Sequence, residues 1–285
     1  FMGIVTKSSN TTAGMEKIEV EKEWFAKLNP YQALFCPRIL ESETGVLKMS
    51  LEPGTALNEV IVYDNLRPEI WREIIRKIMK VHHDVFFIQY DIPQYAYEMC
   101  FDAYFLKVKK RLSQVWGQFQ MEEEGFVTDF VLSTGLELCK DPWWSDCIHG
   151  DSHLGNILYD PYTGSIKFVD PKGSFGTMVG TAGDLRYDMA KLLQDFYCGY
   201  AMIIDGRYHW DDETGEFFID WIDGSDDLLQ YLEGELQEYG HNVDLLKRLS
   251  IVLLLTAIPF HADSERRQFA MYARACQLIN NLTNI

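Results

Sequence analysis

The stretch from Cys147 to Gly176 contains three polar residues whose types and spacing could support metal-assisted chemistry. Asp151 offers a carboxylate, Asn156 offers an amide oxygen, and Asp170 offers a second carboxylate. Oxygen ligands of this kind suit Mg²⁺, and a carboxylate beside the metal can act as a base. The segment is therefore predicted to place a metal site, formed by Asn156 and Asp170, beside the base Asp151.

The residues between these side chains have the pattern of a β-hairpin. The segments NILYD and SIKFVD are typical of two short strands, joined by the turn residues 160–164 (Asp-Pro-Tyr-Thr-Gly). Asn156 precedes the first strand and Asp170 ends the second. A hairpin would bring both predicted metal ligands to the same end of the pair.

The motif HGD-x-x-x-x-N, which starts at His149, together with the hairpin and Asp170, resembles the catalytic core of the aminoglycoside phosphotransferase and choline kinase group. Gly150 stands where protein kinases carry Arg, and Pro-Lys-Gly follows Asp170 in place of Phe-Gly, which favours the small-molecule branch. The longer string HGD…NILYD…IKFVDPKGSFG is most similar to kinase-like domains of bacterial capsule and surface-polysaccharide biosynthesis.

This resemblance implies an α+β, protein-kinase-like fold with two lobes. A reduced, strand-containing N-terminal lobe is expected at about residues 1–52, and a mainly helical C-terminal lobe at residues 53–285. Some similar capsule proteins carry the domain behind a sugar nucleotidyltransferase. The start at Phe1-Met2 is interpreted as a domain excised from a longer polypeptide or as a residual tag.

The resemblance also implies an activity, namely transfer of the γ-phosphoryl group of ATP to a hydroxyl of a small molecule, with a sugar or sugar derivative favoured. Asp151 would be the base, and Asn156 and Asp170 would hold Mg²⁺. Lys172 would add positive charge near the γ-phosphate or bind an anionic acceptor, although an ordinary surface lysine is an equal alternative. Asp188, in a helix predicted at Gly183–Leu193, would brace the catalytic loop through the backbone N–H groups around His149 and Gly150.

A strand at Met2–Ser8 and a helix at Met15–Leu28 are predicted ahead of this core. In kinase folds a strand lysine and a helix glutamate form the ion pair that aligns the ATP phosphates. Lys7 is the candidate lysine, and Glu21 is the preferred glutamate because helical spacing places it on the face of the next apolar residues. The hydroxyl of Ser8 is expected near the phosphates.

The segment Gly45–Leu57 resembles the strand and hinge that join two kinase lobes. Backbone groups of the hinge would then meet the adenine edge, at Ser50, Leu51 and Glu52. A glycine-rich phosphate loop should precede Lys7, and six residues cannot hold it. The loop therefore lies upstream, or the lobe is reduced, or the chain is a catalytically inactive nucleotide-binding or scaffold domain.

A metal-hydrolase interpretation of the core motif also stays open. The alternating set His149, Asp151 and His153 could ligate Zn²⁺ or Fe in a hydrolase, but this would leave Asn156 and Asp170 without roles.

Long helices are predicted from apolar spacing. They cover Arg67–Val85, Tyr95–Trp116, Gly125–Lys140, Asp226–Tyr239, Leu245–Ile258 and Ser264–Leu282. The basic run from Lys107 to Arg111 is interpreted as a solvated helix face rather than an anion site.

Composition narrows the class of protein. The 285 residues are 47% hydrophobic and carry a formal net charge of −17, which argues against a nucleic-acid partner or an anionic membrane surface. The six cysteines show no CxxC pairing, which favours reduced thiols in a cytoplasmic protein. The apolar run Ile251–Phe260 is too short to span a bilayer and is predicted to be a buried helix.

Overall fold

A three-stranded antiparallel sheet forms the N-terminal part of the chain. The computed structural model describes residues 3–63, 66–88, 92–118, 124–211 and 213–283. The strands are β1 (Ile4–Ser8), β2 (Ile39–Glu43) and β3 (Val46–Ser50), arranged in the order β1–β3–β2. Lys7 lies opposite Leu47 in the β1–β3 register. The predicted strand with Lys7 near its end is therefore present.

The first helix covers this sheet and carries Glu21. Helix α1 (Thr12–Lys27) starts at the N-cap Thr11, whose side-chain oxygen accepts a hydrogen bond from the N–H of Gly14. Its buried face contains Glu21 and Trp24. The Trp24 indole Nε1 donates to the carbonyl oxygen of Ile148 at 2.8 Å. This bond ties α1 to the loop that leads into Asp151.

The rest of the chain is mainly helical. A one-turn helix α2 (Pro30–Ala33) precedes β2. The later helices are α3 (Leu57–Tyr63), α4 (Pro68–Lys80), α5 (Tyr95–Phe101), α6 (Lys107–Gln118), α7 (Glu124–Lys140), α8 (Leu185–Leu193), α9 (Tyr200–Asp205), α10 (Ser225–Glu238), α11 (Val243–Ala257) and α12 (Glu265–Thr283). Helix α11 is buried along most of its length, so the predicted buried helix is confirmed for Ile251 to Ala257, whereas Phe260 lies beyond the helix and is exposed. Among the described residues, no helix is long and apolar enough to cross a membrane.

Single turns of π-helix extend three of these helices. They cover Val81–Phe86 after α4, Asp102–Leu106 between α5 and α6, and Gln194–Cys198 after α8. The segments predicted as single helices from residue 67 and from residue 95 are thus continuous helical paths. Turns of this type occur often at functional sites.

Short strands position the polar core motif. The hairpin predicted around residues 160–164 is confirmed: Ile157 pairs with Phe168, and the Gly164 N–H donates to the Asp160 carbonyl at 2.7 Å. The strands here are β4 (Thr55–Ala56), β6 (Ile157–Asp160) and β7 (Ser165–Phe168), in the order β4–β6–β7. Two-stranded pairs are formed by β5 (Trp144–Ser145) with β10 (Gly183–Asp184), β8 (Ser174–Phe175) with β9 (Met178–Val179), and β11 (Tyr208–Trp210) with β12 (Phe217–Ile219).

Helix α8 begins within the segment predicted to be helical. Gly183 and Asp184 pair with β5, and the helix begins at Leu185, directly after Asp184. Asp184 caps it by accepting the N–H of Arg186 at 3.0 Å. The strand pairing and the cap together fix the direction of α8, which runs beneath the loop that carries Asp151.

Candidate active site

A cavity of about 1000 Å³ lies between the N-terminal sheet with α1 and the helical part of the chain. Its volume is at the upper end of the range for small-molecule sites. One wall comes from β1 and α1 and includes Lys7, Ser8 and Glu21. The floor comes from the core motif and includes Asp151, Asn156 and Asp170. The fold therefore brings the residues predicted from three separate segments to one cavity.

Lys7 links this wall to the floor of the cavity through two carboxylates. Its Nζ lies 2.6 Å from Glu21 Oε1 and also contacts Asp170 Oδ1. Burial alone would lower the pKa of Lys7, but hydrogen bonds to Asp170 and Glu21 raise it above its ordinary value. Lys7 therefore pairs directly with Asp170, and no gap separates the two side chains.

Asp170 has a backbone conformation that side chains seldom adopt. Its φ of 58° is the one positive φ outside glycine among the described residues. Aspartate tolerates this left-handed region better than most residues, at a cost on the order of 1 kcal/mol. Hydrogen bonds on both sides hold the turn, from Val169 N to Asn156 O at 2.9 Å and from Lys172 N to His149 O at 3.0 Å. The surrounding chain therefore holds the Asp170 carboxylate at the cavity.

Asn156 supplies the second oxygen at this end of the hairpin. Its side chain is almost fully buried, and Nδ2 donates to the carbonyl oxygen of Asp151 at 2.9 Å. The amide oxygen is the remaining atom that could bind a cation. A carboxylate and an amide oxygen at one cavity match the oxygen ligands of Mg²⁺, so these residues fit that metal.

The histidines of the core motif have structural partners. His149 is buried, its Nε2 donates to Val169 O at 2.9 Å, and its Nδ1 accepts the N–H of Asp151 at 3.3 Å. Burial lowers the pKa of His149 to about 4, so the neutral ring that these bonds require is present at pH 7. No group of three or more His, Cys, Asp or Glu side chains arranged to hold a metal occurs in the described ranges. The geometry gives no support to the alternating Zn²⁺ or Fe site.

Asp151 stays ionised because of Lys191, a residue that was not predicted from the sequence. Lys191 Nζ lies 3.0 Å from Asp151 Oδ1, and His153 Nε2 lies 3.9 Å from Oδ2. Burial opposes ionisation, but the charge of Lys191, followed by that of His153, holds the pKa of Asp151 below its ordinary range. The carboxylate at this point of the cavity can therefore accept a hydrogen bond or a proton.

Two buried carboxylates brace the loop from below. Asp188 is fully buried and accepts the N–H groups of His149 and Gly150, each at 2.7 Å, so its predicted placement is confirmed. Burial raises the pKa of Asp188 to about 7, while these two hydrogen bonds oppose the shift. Asp195 accepts the N–H of Leu154 at 2.7 Å and was not predicted. The two acids thus fix the loop on either side of Asp151.

A helical spacing could have revealed the missed residues. Asp188, Lys191 and Asp195 follow one another at intervals of three and four along α8 and the turn that extends it. Residues at this spacing share one face of a helix. Once Asp188 is placed under the loop, Lys191 and Asp195 are expected on the same side.

The predicted hinge residues do not line this cavity. Ser50 N donates to Arg38 O at 2.9 Å, and Leu51 N donates to Gly3 O at 2.9 Å, so both N–H groups expected at an adenine edge are already engaged. Glu52 pairs with Lys167 at 3.4 Å. The N–H groups of Ser50 and Leu51 cannot meet an adenine edge in this arrangement, because the chain before β2 and before β1 accepts them, and the role of Glu52 stays a prediction.

Part of the cavity lining is basic and aromatic. Lys172 Nζ donates to the hydroxyl of Tyr187 at 3.1 Å and lies 4.2 Å from the centre of its ring. The Arg111 guanidinium lies 4.6 Å from the ring centre of Phe260. Lys107 is partly buried beside Lys172, and burial, followed by the charge of Lys172, lowers the pKa of Lys107 to about 8. The prediction of a solvated basic face is therefore wrong for Lys107 and Arg111.

The fold is shared with solved structures of small-molecule kinases. The ADP-bound aminoglycoside phosphotransferase APH(2'')-Ib matches 97% of this chain and 85% of its own, with a TM-score of 0.58 and 14% identity. The ethanolamine kinase Pv091845 from Plasmodium vivax matches 97% of this chain and 76% of its own, with a TM-score of 0.55 and 14% identity. A choline/ethanolamine kinase family protein from Mesorhizobium loti matches 97% and 82%, with a TM-score of 0.55 and 15% identity.

No protein-family profile matches the sequence, and a search of curated proteins found no match. At identities this low, structural likeness establishes the fold and leaves the activity to the site itself. The predicted α+β, protein-kinase-like fold, with a reduced strand-containing N-terminal lobe and a mainly helical C-terminal lobe, is confirmed.

Proposed function

We propose that this chain transfers the γ-phosphoryl group of ATP to a hydroxyl of a small molecule. The observation that carries the proposal is the convergence of the Lys7–Glu21 ion pair, the ionised Asp151, and the oxygen pair of Asn156 and Asp170 on one cavity. Solved structures with this fold include an aminoglycoside phosphotransferase with bound ADP. A sugar or sugar derivative is the favoured acceptor, as the resemblance of the core motif to capsule and surface-polysaccharide proteins suggests.

On the nucleotide side, Lys7 would bind phosphate oxygens. It keeps Glu21 as a partner and exchanges Asp170 for a phosphate, which frees the Asp170 carboxylate. Ser8 and Ser9 line the same wall, and Gly14 lets α1 approach, since a Cβ there would lie 2.0 Å from Ser9 Oγ. Asn156 and Asp170 would hold the Mg²⁺ ion that offsets the charge of the phosphate oxygens when it is bound.

On the acceptor side, Asp151 would orient the hydroxyl. As the bond from the acceptor oxygen to the γ-phosphorus forms, the bond from that phosphorus to the bridging oxygen of ADP breaks, and Asp151 takes the hydroxyl proton. The Lys191 ammonium keeps Asp151 ionised until that step. Asp188 and Asp195 act as positioning residues, because they hold the backbone on both sides of the base.

The test compares two acid variants for Mg·ATP binding and for ADP release with a panel of hydroxyl compounds. Asp151→Asn should reduce transfer at least 10²-fold while leaving Mg·ATP affinity and the melting temperature near those of the parent. Asp170→Asn should instead weaken Mg·ATP binding, since it removes a charged metal ligand. The exposed Asp223→Asn is the matched control.

Two outcomes would count against the proposal. If Asp151→Asn and Asp170→Asn lost nucleotide affinity equally, the division of roles between the acids would be wrong. If the parent bound Mg·ATP but released no ADP with any compound, the inactive nucleotide-binding domain would be favoured.

A further inference from the structure

A cluster of three cations lies beside the predicted base and has no role in the phosphoryl transfer proposed for this site. We call Lys107, Arg111 and Lys172 the basic cluster. Lys107 and Arg111 are four residues apart on α6, so they share one helix face. Lys172 follows the core motif, and it lines the same cavity as Arg111 and Asp151, with Lys107 beside it. Two distant segments of the chain therefore bring three positive side chains together.

The basic cluster has no carboxylate partner in the described part of the chain. Arg111 donates to the carbonyl oxygen of Thr256 at 3.5 Å, and Lys172 donates to Tyr187, but no Asp or Glu oxygen lies within 4.0 Å of any of the three cations. The acid of the site on this side is Asp151, and Lys191 already pairs with it. The arrangement is unusual in a chain with 43 acidic and 26 basic residues, where carboxylates are abundant.

Partly buried cations that lie close together destabilise a fold unless an anion binds next to them. The cavity wall around the basic cluster adds Tyr187, Tyr200 and Phe260, which are suited to packing against a sugar ring or a carbon chain. Asp151 lines the same cavity. A molecule with a hydroxyl at Asp151 and a negative group at the basic cluster would satisfy both.

Building on the proposed function, we infer that the acceptor is an anionic small molecule, whose phosphate or carboxylate group binds to Arg111 and Lys172 in the cavity wall, with Lys107 adding its charge beside Lys172. Its hydroxyl is the group that Asp151 orients and that receives the phosphoryl group, with ADP as the leaving group. A cationic acceptor such as choline or an aminoglycoside would be placed against three like charges. The sign of the acceptor's charge is therefore the main determinant of acceptor specificity.

The first experiment measures anion binding directly. The protein is held with Mg²⁺ and a non-hydrolysable ATP analogue, so that the nucleotide side is filled, and is titrated with inorganic phosphate, acetate, and sodium chloride of equal ionic strength while the melting temperature is recorded. Phosphate, acetate or both should raise the melting temperature above chloride. The double variant Lys107→Met, Arg111→Gln should weaken that affinity at least tenfold. The double variant Lys109→Met, Lys110→Gln, on the exposed face of the same helix, should not.

The second experiment measures ADP release with matched compounds that differ in one charged group: ribitol against ribitol 5-phosphate, and glucose against glucose 6-phosphate and glucuronate, with choline and kanamycin as cations. The anionic members should stimulate release at least tenfold more than their neutral partners. The phosphate and uronate arms identify which anion is read. The Lys107, Arg111 double variant should raise the acceptor KM and leave the KM for Mg·ATP unchanged.

Several results would overturn the inference. Protection by phosphate and acetate no greater than by chloride would do so, as would equal anion affinity in the Lys107, Arg111 double variant. Greater stimulation by neutral or cationic compounds would have the same meaning, and would leave phosphoryl transfer itself intact. If the parent bound phosphate but no Mg·ATP, the proposed function would fail, and with it the acceptor role of the basic cluster.

Discussion

The two sides of the cavity treat positive charge in opposite ways. On the proposed nucleotide side, Lys7 contacts two carboxylates, Glu21 and Asp170. On the proposed acceptor side, the basic cluster contains three cations with no carboxylate in ion-pair range among the described residues. A paired charge is positioned by the protein itself, whereas an unpaired one costs stability until a ligand arrives. The comparison indicates that the first side is preorganised and that the second is completed by its ligand.

The largest expected effect concerns the loop that both sides share. Asp188→Ala would leave the N–H groups of His149 and Gly150 without an acceptor, and should lower the free energy of unfolding by about 2–4 kcal/mol. Because the loop carries Asp151 and is tied to α1 through Trp24, both nucleotide binding and transfer should fall. Urea unfolding and Mg·ATP titration measure the two effects. A variant that unfolds and turns over like the parent would show that the loop does not depend on Asp188.

Removing the paired cation should destabilise the fold. Lys7→Met leaves Glu21, which is 5% exposed, without a cation, and should cost about 1–3 kcal/mol. The exposed Lys17→Met, in the same cavity wall, should change stability by less than about 0.5 kcal/mol. Thermal and urea unfolding of both variants check the difference. Equal stabilities would mean that the Lys7–Glu21 pair contributes nothing in the unliganded protein.

Removing an unpaired cation should do the reverse. The pKa of Lys107 is lowered to about 8 by burial and by Lys172, so at pH 7 the folded protein carries a charge that it disfavours. Lys107→Met keeps most of the packing and should stabilise the fold at pH 7 by an amount on the order of 1 kcal/mol.

This gain should depend on pH in a defined direction. Below pH 8 Lys107 is protonated in both the folded and the unfolded protein, so the full cost is present. Between pH 8 and 10.5 the folded protein has released the proton while the unfolded chain still holds it, so the parent regains stability. Unfolding free energies of parent and Lys107→Met should therefore converge over that range. If the difference in unfolding free energy stayed constant with pH, it would not arise from the charge of Lys107.

The smallest effect concerns the backbone of Asp170. Asp170→Ala and Asp170→Gly remove the same carboxylate, but only glycine adopts a φ near 58° without strain. The glycine variant should be more stable than the alanine variant by about 1 kcal/mol, and neither should hold Mg·ATP as the parent does. Urea unfolding decides this. Equal stability would indicate that the turn relaxes once Lys7 no longer pairs with residue 170.

The residues whose roles depend on local chain geometry were predictable from the sequence. The Asp151-to-Asn156 step and the hairpin that ends at Asp170 lie within one short segment, where turn residues and strand alternation specify the structure. Glu21 was found because helical spacing selects the buried face of α1. Asp188 was found by its match to a family pattern, and its two hydrogen bonds have the expected acceptor geometry.

The tertiary structure alone decided which polar groups face each other. Lys191 pairs with Asp151, and Lys7 meets Asp170, only because chain packing brings separate segments together. The run from Lys107 to Arg111 contains four cations of similar type, and nothing in its letters says which face of α6 meets the cavity. Packing of α6 turned Lys107 and Arg111 inward and left Lys109 and Lys110 exposed. The sequence determined the motif of Asp151, Asn156 and Asp170, whereas the burial of α6 decided the charge of the cavity wall that contains Arg111, because burial is a property of the neighbours and not of the residue.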